Sequence, residues 1–238
     1  MLVNPGTREG IPSLPTPDTH RRLVTVIMAD IVGYTRLMGE NEDATLDAWY
    51  ACRNDIIDPK IDYFRGRIVK HTGDGFLAEF PSVIDAMNCA IEMQTGLEKR
   101  NNNAPEESRI LFRMGLNLCD IVADEEDIYG EGVNTAARVE ALAAPGTICI
   151  TSAVHDQVGS KVKAEFEDLG AKKLKNVAKR VRVFQVWPPG NFSGNESDEE
   201  FRLEADADLR TVSQWTQLAA AVFIVAGIAA IVWVYMSK

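Results

Sequence analysis

The chain has 238 residues, 46% of them apolar and 25% charged, and its 25 Lys and Arg against 35 Asp and Glu give a net charge of −10. That is the size of one ordinary globular domain with some additional chain. The acidity excludes long-range attraction to nucleic acid or to anionic lipid, but it leaves room for a locally basic site that holds a small phosphorylated ligand.

Residues 1–20 are rich in Pro, Gly and Thr and carry no apolar stretch of the kind a secretory signal needs. They read as a disordered arm, and with no such signal the domain after them is expected to stay in the cytoplasm. The run LVTVIMA at 23–29 is short, continuous and apolar, as a central strand is. From 42 to 64 the residues Leu46, Trp49, Cys52, Ile56, Ile57, Ile61 and Phe64 recur at helical spacing, which predicts one long amphipathic helix. RIVK (67–70) and FLAEF (76–80) flank His71-Thr72-Gly73-Asp74-Gly75 and read as a hairpin. Val83, Met87, Ala90, Ile91, Gln94 and Leu97 mark a second long helix. In ILFRMGLNL (110–118) apolar residues alternate strictly, with Ile110, Phe112, Met114, Leu116 and Leu118 on one face. A third helix is expected from about Glu131, then short strands at 147–151, 163–169 and 180–186.

This order predicts an α+β domain over 21–187, with a ferredoxin-like, palm-type βαββαβ core and helices packed on one face of a mainly antiparallel sheet. Residues 188–214 open with Pro-Pro-Gly and hold seven acidic residues against Arg202 and Arg210, the composition of a flexible linker. Leu218 to Met236 carry no charge and would make about 28 Å of helix, enough to cross a bilayer core. With Trp215 at one end and Trp233 and Tyr235 at the other as interfacial anchors, 215–236 is expected to be a single transmembrane helix. The folded body would then lie on the cytoplasmic side of the plasma membrane, or of the inner membrane in a bacterium. The four cysteines, Cys52, Cys89, Cys119 and Cys149, lie far apart in apolar runs with no paired spacing, and read as reduced, mostly buried thiols.

Asp30 follows directly on the first apolar strand, and Gly33 lets the backbone turn closely after it. An acid at a strand end beside free amides can hold a divalent cation against a phosphate, although the same residue type also caps helices. Asp74, at the tip of Gly73-Asp74-Gly75, sits in the commonest tight-turn dipeptide and is equally open alone. If the first strand lies beside the hairpin, the two carboxylates converge as two-metal phosphoryl chemistry requires. Asn134 and Arg138, four apart in VNTAARVE, share one helix face, which by itself also describes a solvated surface.

Taken together, VTVIMADIVGYTRLM, VKHTGDGFLAEF and DIYGEGVNTAARVEALAAPGTICIT resemble the catalytic domain of class III nucleotidyl cyclases, over essentially all of 21–187. Within that family the chain looks like the adenylate cyclases. The resemblance implies that Asp30 and Asp74, with the carbonyl of Ile31, bind two divalent cations, Mg²⁺ or Mn²⁺. It implies that the amides of Val32, Gly33, Tyr34 and Thr35 hold the β- and γ-phosphates and that Lys175 reaches the triphosphate. Asn134 would orient the ribose and Arg138 stabilise the transition state.

Base choice follows from hydrogen-bond polarity, since Lys70 is a donor and Asp127 an acceptor, matching the N1 acceptor and N6 donor of adenine and opposing guanine. The related guanylate cyclases carry an acid in place of Lys70 and a small polar residue or Cys in place of Asp127. In the resembling enzymes two catalytic domains pack head to tail, with the metal aspartates from one chain and the Lys, Asp, Asn and Arg from the other. A homodimer of this chain would therefore hold two complete sites and a monomer none. Cys119 stands where the resembling sequences often have Gly, and is expected to tighten a turn beside the dimer interface. The alternative function is a catalytically silent, membrane-tethered module that binds nucleotide or heterodimerises with another cyclase. A diguanylate cyclase lacks support because its Gly-Gly-acid-Glu-Phe loop is missing.

Overall fold

The apolar run at 23–29 forms the middle of a twelve-residue strand, β1 (His20–Ile31), in a computed structural model that describes residues 20–105, 108–124 and 127–189. Both faces of β1 are apolar. Val24, Val26 and Met28 point to one side and Ile27, Ala29 and Ile31 to the other, so the strand is covered on both sides rather than half solvated.

The expected hairpin is β2 (Arg67–His71) and β3 (Gly75–Phe80), and the alternating segment is β4 (Phe112–Ala123). The short β5 (Ile128–Tyr129) pairs with the end of β4. The later strands are β6 (Ile148–Thr151), β7 (Glu165–Lys172) and β8 (Val181–Trp187). The sheet runs in the order β2-β3-β1-β4-β6-β8-β7, with β4 and β6 parallel and every other pair antiparallel. The first four strands with their helices are the βαββαβ core read from the sequence.

The helices are α1 (Tyr34–Glu40), α2 (Glu42–Cys52), α3 (Asp58–Tyr63), α4 (Val83–Asn103), α5 (Glu131–Glu140) and α6 (Ser152–Val158). Two of them start where a side chain takes up an orphan amide. Asn41 accepts from the Ala44 amide at 3.1 Å, and Ser82 accepts from that of Asp85 at 3.2 Å. The helix expected across 42–64 is not uniform. Between α2 and α3 the chain widens into a π-helical turn over Arg53–Ile57, because Pro59, near the start of α3, has no amide hydrogen for the carbonyl four residues back.

The larger core lies on one side of the sheet, where Trp49, Cys52, Ile61, Met87, Ala90 and Met93 of α2, α3 and α4 meet Ile110, Phe112, Met114 and Leu116. Each large apolar side chain buried there contributes roughly 1.5–3 kcal/mol. The expectation that all helices share one face is corrected here. α5 packs on the opposite face, with Val133 and Ala136 against Val24, Val26, Leu77 and Ile121, and Val139 against Leu174, Val177 and Val183. Its apolar residues at 133, 136 and 139 carry no information about which face they cover, and β1 is apolar on both.

No helix among the described residues is long and apolar enough to cross a membrane. The segments read as an N-terminal arm (apart from His20), a linker (apart from Pro188 and Pro189) and a transmembrane helix at 215–236 lie outside the described residues.

Candidate active site

Asp30 ends the register of β1 against β3, directly opposite Gly75, and on its other side faces Arg113 of β4. The Ile31 amide donates to the carbonyl of Asp74 at 2.9 Å, which fixes the hairpin tip against the end of β1. Asp30 and Asp74 are thereby brought together, close enough for Asp74 to oppose the ionisation of Asp30. Burial raises the Asp30 carboxyl, and the Asp74 charge and hydrogen bond raise it further, while Arg113 and the Ile31 amide pull the other way; the result is about 6. A carboxylate whose ionisation is opposed by a neighbouring acidic side chain is relieved by a divalent cation, so Asp30 with Asp74 and the Ile31 carbonyl fits cation binding. Among the described residues no group of three or more His, Cys, Asp or Glu side chains stands close enough to hold a metal, so further oxygens would come from backbone, substrate or water.

After Ile31 the chain turns at Gly33, whose φ of 67° is left-handed, and enters α1. The amide of Val32 is committed to the Leu111 carbonyl at 2.9 Å. The first-turn amides of α1 have no intrahelical acceptor, so the amides available to an anion run from Gly33 through Tyr34 to Thr35 rather than from Val32.

Lys70 and Asp127 also meet. Lys70 Nζ donates to Asp127 Oδ2 at 2.5 Å, and Asp127 is held by its own neighbours, its amide donating to Asp124 Oδ1 and its Oδ1 accepting from the Ile128 amide, both at 2.8 Å. A bulge between Ile68 and Lys70 makes this meeting possible. Residues two apart on a regular strand share a face, yet Ile68 packs with the large core while Lys70 is the register partner of Leu77, which faces α5.

Asn134 and Arg138 are exposed, one turn apart on α5, opposite its buried Val133, Ala136 and Val139. The helix is seated on β4 by three residues. A Cβ on Gly115 would stand 2.3 Å from the Glu140 amide nitrogen and 2.4 Å from the Ala136 carbonyl oxygen, so backbone meets backbone there. Buried Asn117 donates to the Gly132 carbonyl and accepts from the Thr151 hydroxyl, each at 2.9 Å. Cys119 packs its side chain on Gly132, where an added Cβ would lie 2.1 Å from its own. Cys119 is paired with Val24 inside β4 and forms no turn, so the role expected of it is replaced by one in seating α5. Lys175 lies exposed in a turn between Leu174 and Val177, both of which pack against Val139 of α5.

Sequence reading missed two residues at the carboxylate pair. Arg113 lies across from Asp30, its Nη2 3.7 Å from Oδ2, and its Nε is 3.1 Å from Oε1 of Glu140, the last residue of α5. Burial pushes the Glu140 carboxyl up to about 7 against the pull of Arg113, with Asp30 and Asp74 adding to the rise. A signal existed for each. Arg113 interrupts the face of the alternating strand shared with Gly115 and Asn117, and Glu140 follows Val139 on the apolar side of its helix.

The family description "Adenylate and Guanylate cyclase catalytic domain" matches residues 17–187. A Rhizobium meliloti protein named "Putative adenylate cyclase 3" is 38% identical over 169 residues, which cover 71% of this chain and 29% of that one. The "pH-sensitive adenylate cyclase MT1302" of Mycobacterium tuberculosis is 27% identical over 192 residues, covering 77% of this chain and 44% of that one. The chain thus spans less than half the length of either relative. Among solved structures, an "Adenylate/Guanylate Cyclase/Hydrolase" from Silicibacter pomeroyi is 42% identical with a TM-score of 0.68, covering 72% of this chain and 99% of that one.

Proposed function

The chain belongs to the class III adenylate and guanylate cyclase catalytic domain family, and we propose that within it this protein is an adenylate cyclase that converts ATP to 3′,5′-cyclic AMP and pyrophosphate as a homodimer. The observation that carries the choice of ATP is the pairing of Lys70 with Asp127 at 2.5 Å. Adenine presents an acceptor at N1 beside a donor at N6, so this donor and acceptor can each be transferred to the base without leaving either charge unpaired. Guanine presents the reverse order.

In this reading Asp30, Asp74 and the Ile31 carbonyl would hold two divalent cations, Mg²⁺ or Mn²⁺, which would supply activation of the ribose 3′ oxygen and charge neutralisation of the triphosphate. The amides of Gly33, Tyr34 and Thr35 hold the β- and γ-phosphate oxygens, and Lys175 adds a charge-assisted bond to the triphosphate. Asn134 orients the ribose so that its 3′ oxygen lies in line with the bond from the α-phosphorus to pyrophosphate. Arg138 offsets the negative charge that grows on the α-phosphate and the leaving group, and loss of such a group costs about 10²- to 10³-fold in rate. Asn134 and Arg138 project outward from α5, which suits groups that complete the site of a second protomer. Each dimer then has two composite sites, with Asp30 and Asp74 from one protomer and Lys70, Asp127, Asn134 and Arg138 from the other.

The same reading takes residues 215–236 across a membrane, leaving the catalytic domain in the cytoplasm; confinement to a plane raises the effective concentration of protomers. The testing experiment is product formation from ATP and from GTP by the full-length protein in lipid, with Mg²⁺ and with Mn²⁺. Cyclic AMP from ATP with little cyclic GMP from GTP supports the reading. Equal use of both nucleotides contradicts the substrate choice, and no product from either contradicts the activity.

A further inference from the structure

Arg113 stands between two carboxylates and is fully committed to neither. Its Nη2 is 3.7 Å from Oδ2 of Asp30, beyond a hydrogen bond, and its Nε is 3.1 Å from Oε1 of Glu140. That second contact is an ion pair without hydrogen-bond alignment, since Nε of Arg113 and Oε1 of Glu140 are both buried and neither has a hydrogen-bond partner. Glu140 is 7% exposed, and the close approach of α5 to Gly115 puts it there. Asp30, Arg113, Gly115 and Glu140 share the α5 side of the sheet, because Asp30 continues the face of Val24 and Val26 and is the register partner of Arg113.

A guanidinium beside Asp30 is a resident cation at a carboxylate that, on the reading above, must accept a divalent one. The two positive charges repel, and Arg113 leaves Asp30 most readily toward another anion, because its half-buried guanidinium is costly to leave unpaired. Glu140 is that anion. We infer that Glu140 is a positioning residue that draws the Arg113 guanidinium off Asp30 and so keeps Asp30 open to cations. This inference rests on the reading of Asp30 as a cation ligand and assigns Glu140 no contact with substrate.

The test is Mn²⁺ binding to the full-length, nucleotide-free protein, titrated by electron paramagnetic resonance, for wild type, Asp30→Asn, Glu140→Gln, Arg113→Met and the Arg113→Met/Glu140→Gln double variant, with thermal melts to confirm folding. Glu140→Gln is expected to weaken Mn²⁺ binding about 10- to 100-fold, the range for a residue that orients a metal ligand's surroundings. Arg113→Met is expected to bind Mn²⁺ at least as tightly as wild type, and adding Glu140→Gln to it should change nothing further. Unchanged affinity in folded Glu140→Gln overturns the inference, as does an equal loss with and without Arg113, which would mean that Glu140 acts through its own charge. If Glu140→Gln does not fold, the double variant decides, since both charges leave together; weaker binding than in Arg113→Met overturns the inference. Asp30→Asn separates the two readings. If it binds Mn²⁺ like wild type, the cation-ligand reading and the inference fall together; if it loses Mn²⁺ while Glu140→Gln does not, only the inference falls.

Discussion

Asp30 and Gly75 are direct register partners on β1 and β3, and a Cβ at Gly75 would stand 1.9 Å from the carbonyl oxygen of Ala29. No relaxation of a flexible side chain can relieve that contact, because the obstructing atom is backbone. The glycine is therefore what lets the hairpin close onto β1 and carry Asp74 to Asp30. Gly75→Ala should separate the strands at this point, lowering stability by about 3 kcal/mol or more and cyclase activity by at least about 100-fold. Gly73→Ala is the control. At Gly73 nothing lies within 4 Å of an added Cβ and only its φ of 96° opposes substitution, so the cost should stay near 1–2 kcal/mol. Thermal melts and an activity assay on both variants measure the contrast.

The carboxylate pair should make the metal-free protein pH-sensitive in a definite direction. With a folded value of about 6 against an ordinary 3.8, Asp30 binds its proton more tightly when folded. Stability is then lost as pH rises from about 4 through 6, by an amount on the order of 1–3 kcal/mol. Asp30→Asn removes the ionisation, so in chelator it should melt higher than wild type at pH 8, with the gain shrinking toward pH 4. Melting curves of both proteins across that range measure it; a gain that grows toward low pH would contradict the assignment.

Much of the fold was legible in the sequence. The central strand, the hairpin, the α4 helix and the alternating strand declare themselves because each carries a periodic apolar pattern long enough to count. The placement of α5 was not legible, since a ten-residue helix can cover either face of a sheet that is apolar on both. The site divides in the same way. Asp30 and Asp74 stand beside a strand end and a tight turn, where local sequence gives their position. Glu140 reaches Arg113 through the packing of α5 on Gly115, a contact between residues 25 apart that no local pattern encodes. The bulge before Lys70 was equally invisible, although it decides which face that lysine serves.

The Lys70–Asp127 pair should set the base. Lys70→Glu combined with Asp127→Cys reverses the donor and acceptor order, and is expected to shift the ratio of ATP to GTP use toward GTP by at least about 100-fold in kcat/KM. Each single variant leaves one charge without its partner and should lose activity with both nucleotides. Steady-state rates with the two substrates check this.

The cysteines should be inert in the folded protein. Burial, with the charge of Asp120 adding to it, pushes the Cys119 thiol up to about 11, and burial pushes that of Cys89 up to about 12. Alkylation at pH 8 should therefore run at least about 100-fold slower in the native state than in denaturant. Mass spectrometry of pulse-labelled protein reads each site separately.

The central claim is that each active site is assembled from two copies of this chain. Full-length Asp74→Ala and Arg138→Ala are each expected to be inactive, because the first lacks a cation ligand and the second the group that offsets transition-state charge. Mixed and allowed to exchange subunits, they form a heterodimer in which one composite site carries both lesions and the other carries none. Cyclic AMP production recovered on mixing, approaching about one quarter of the wild-type rate for random pairing of equal amounts, is the predicted result. Persistent inactivity of the mixture, with heterodimers demonstrated by differential tagging and wild-type protein active under the same conditions, would contradict it.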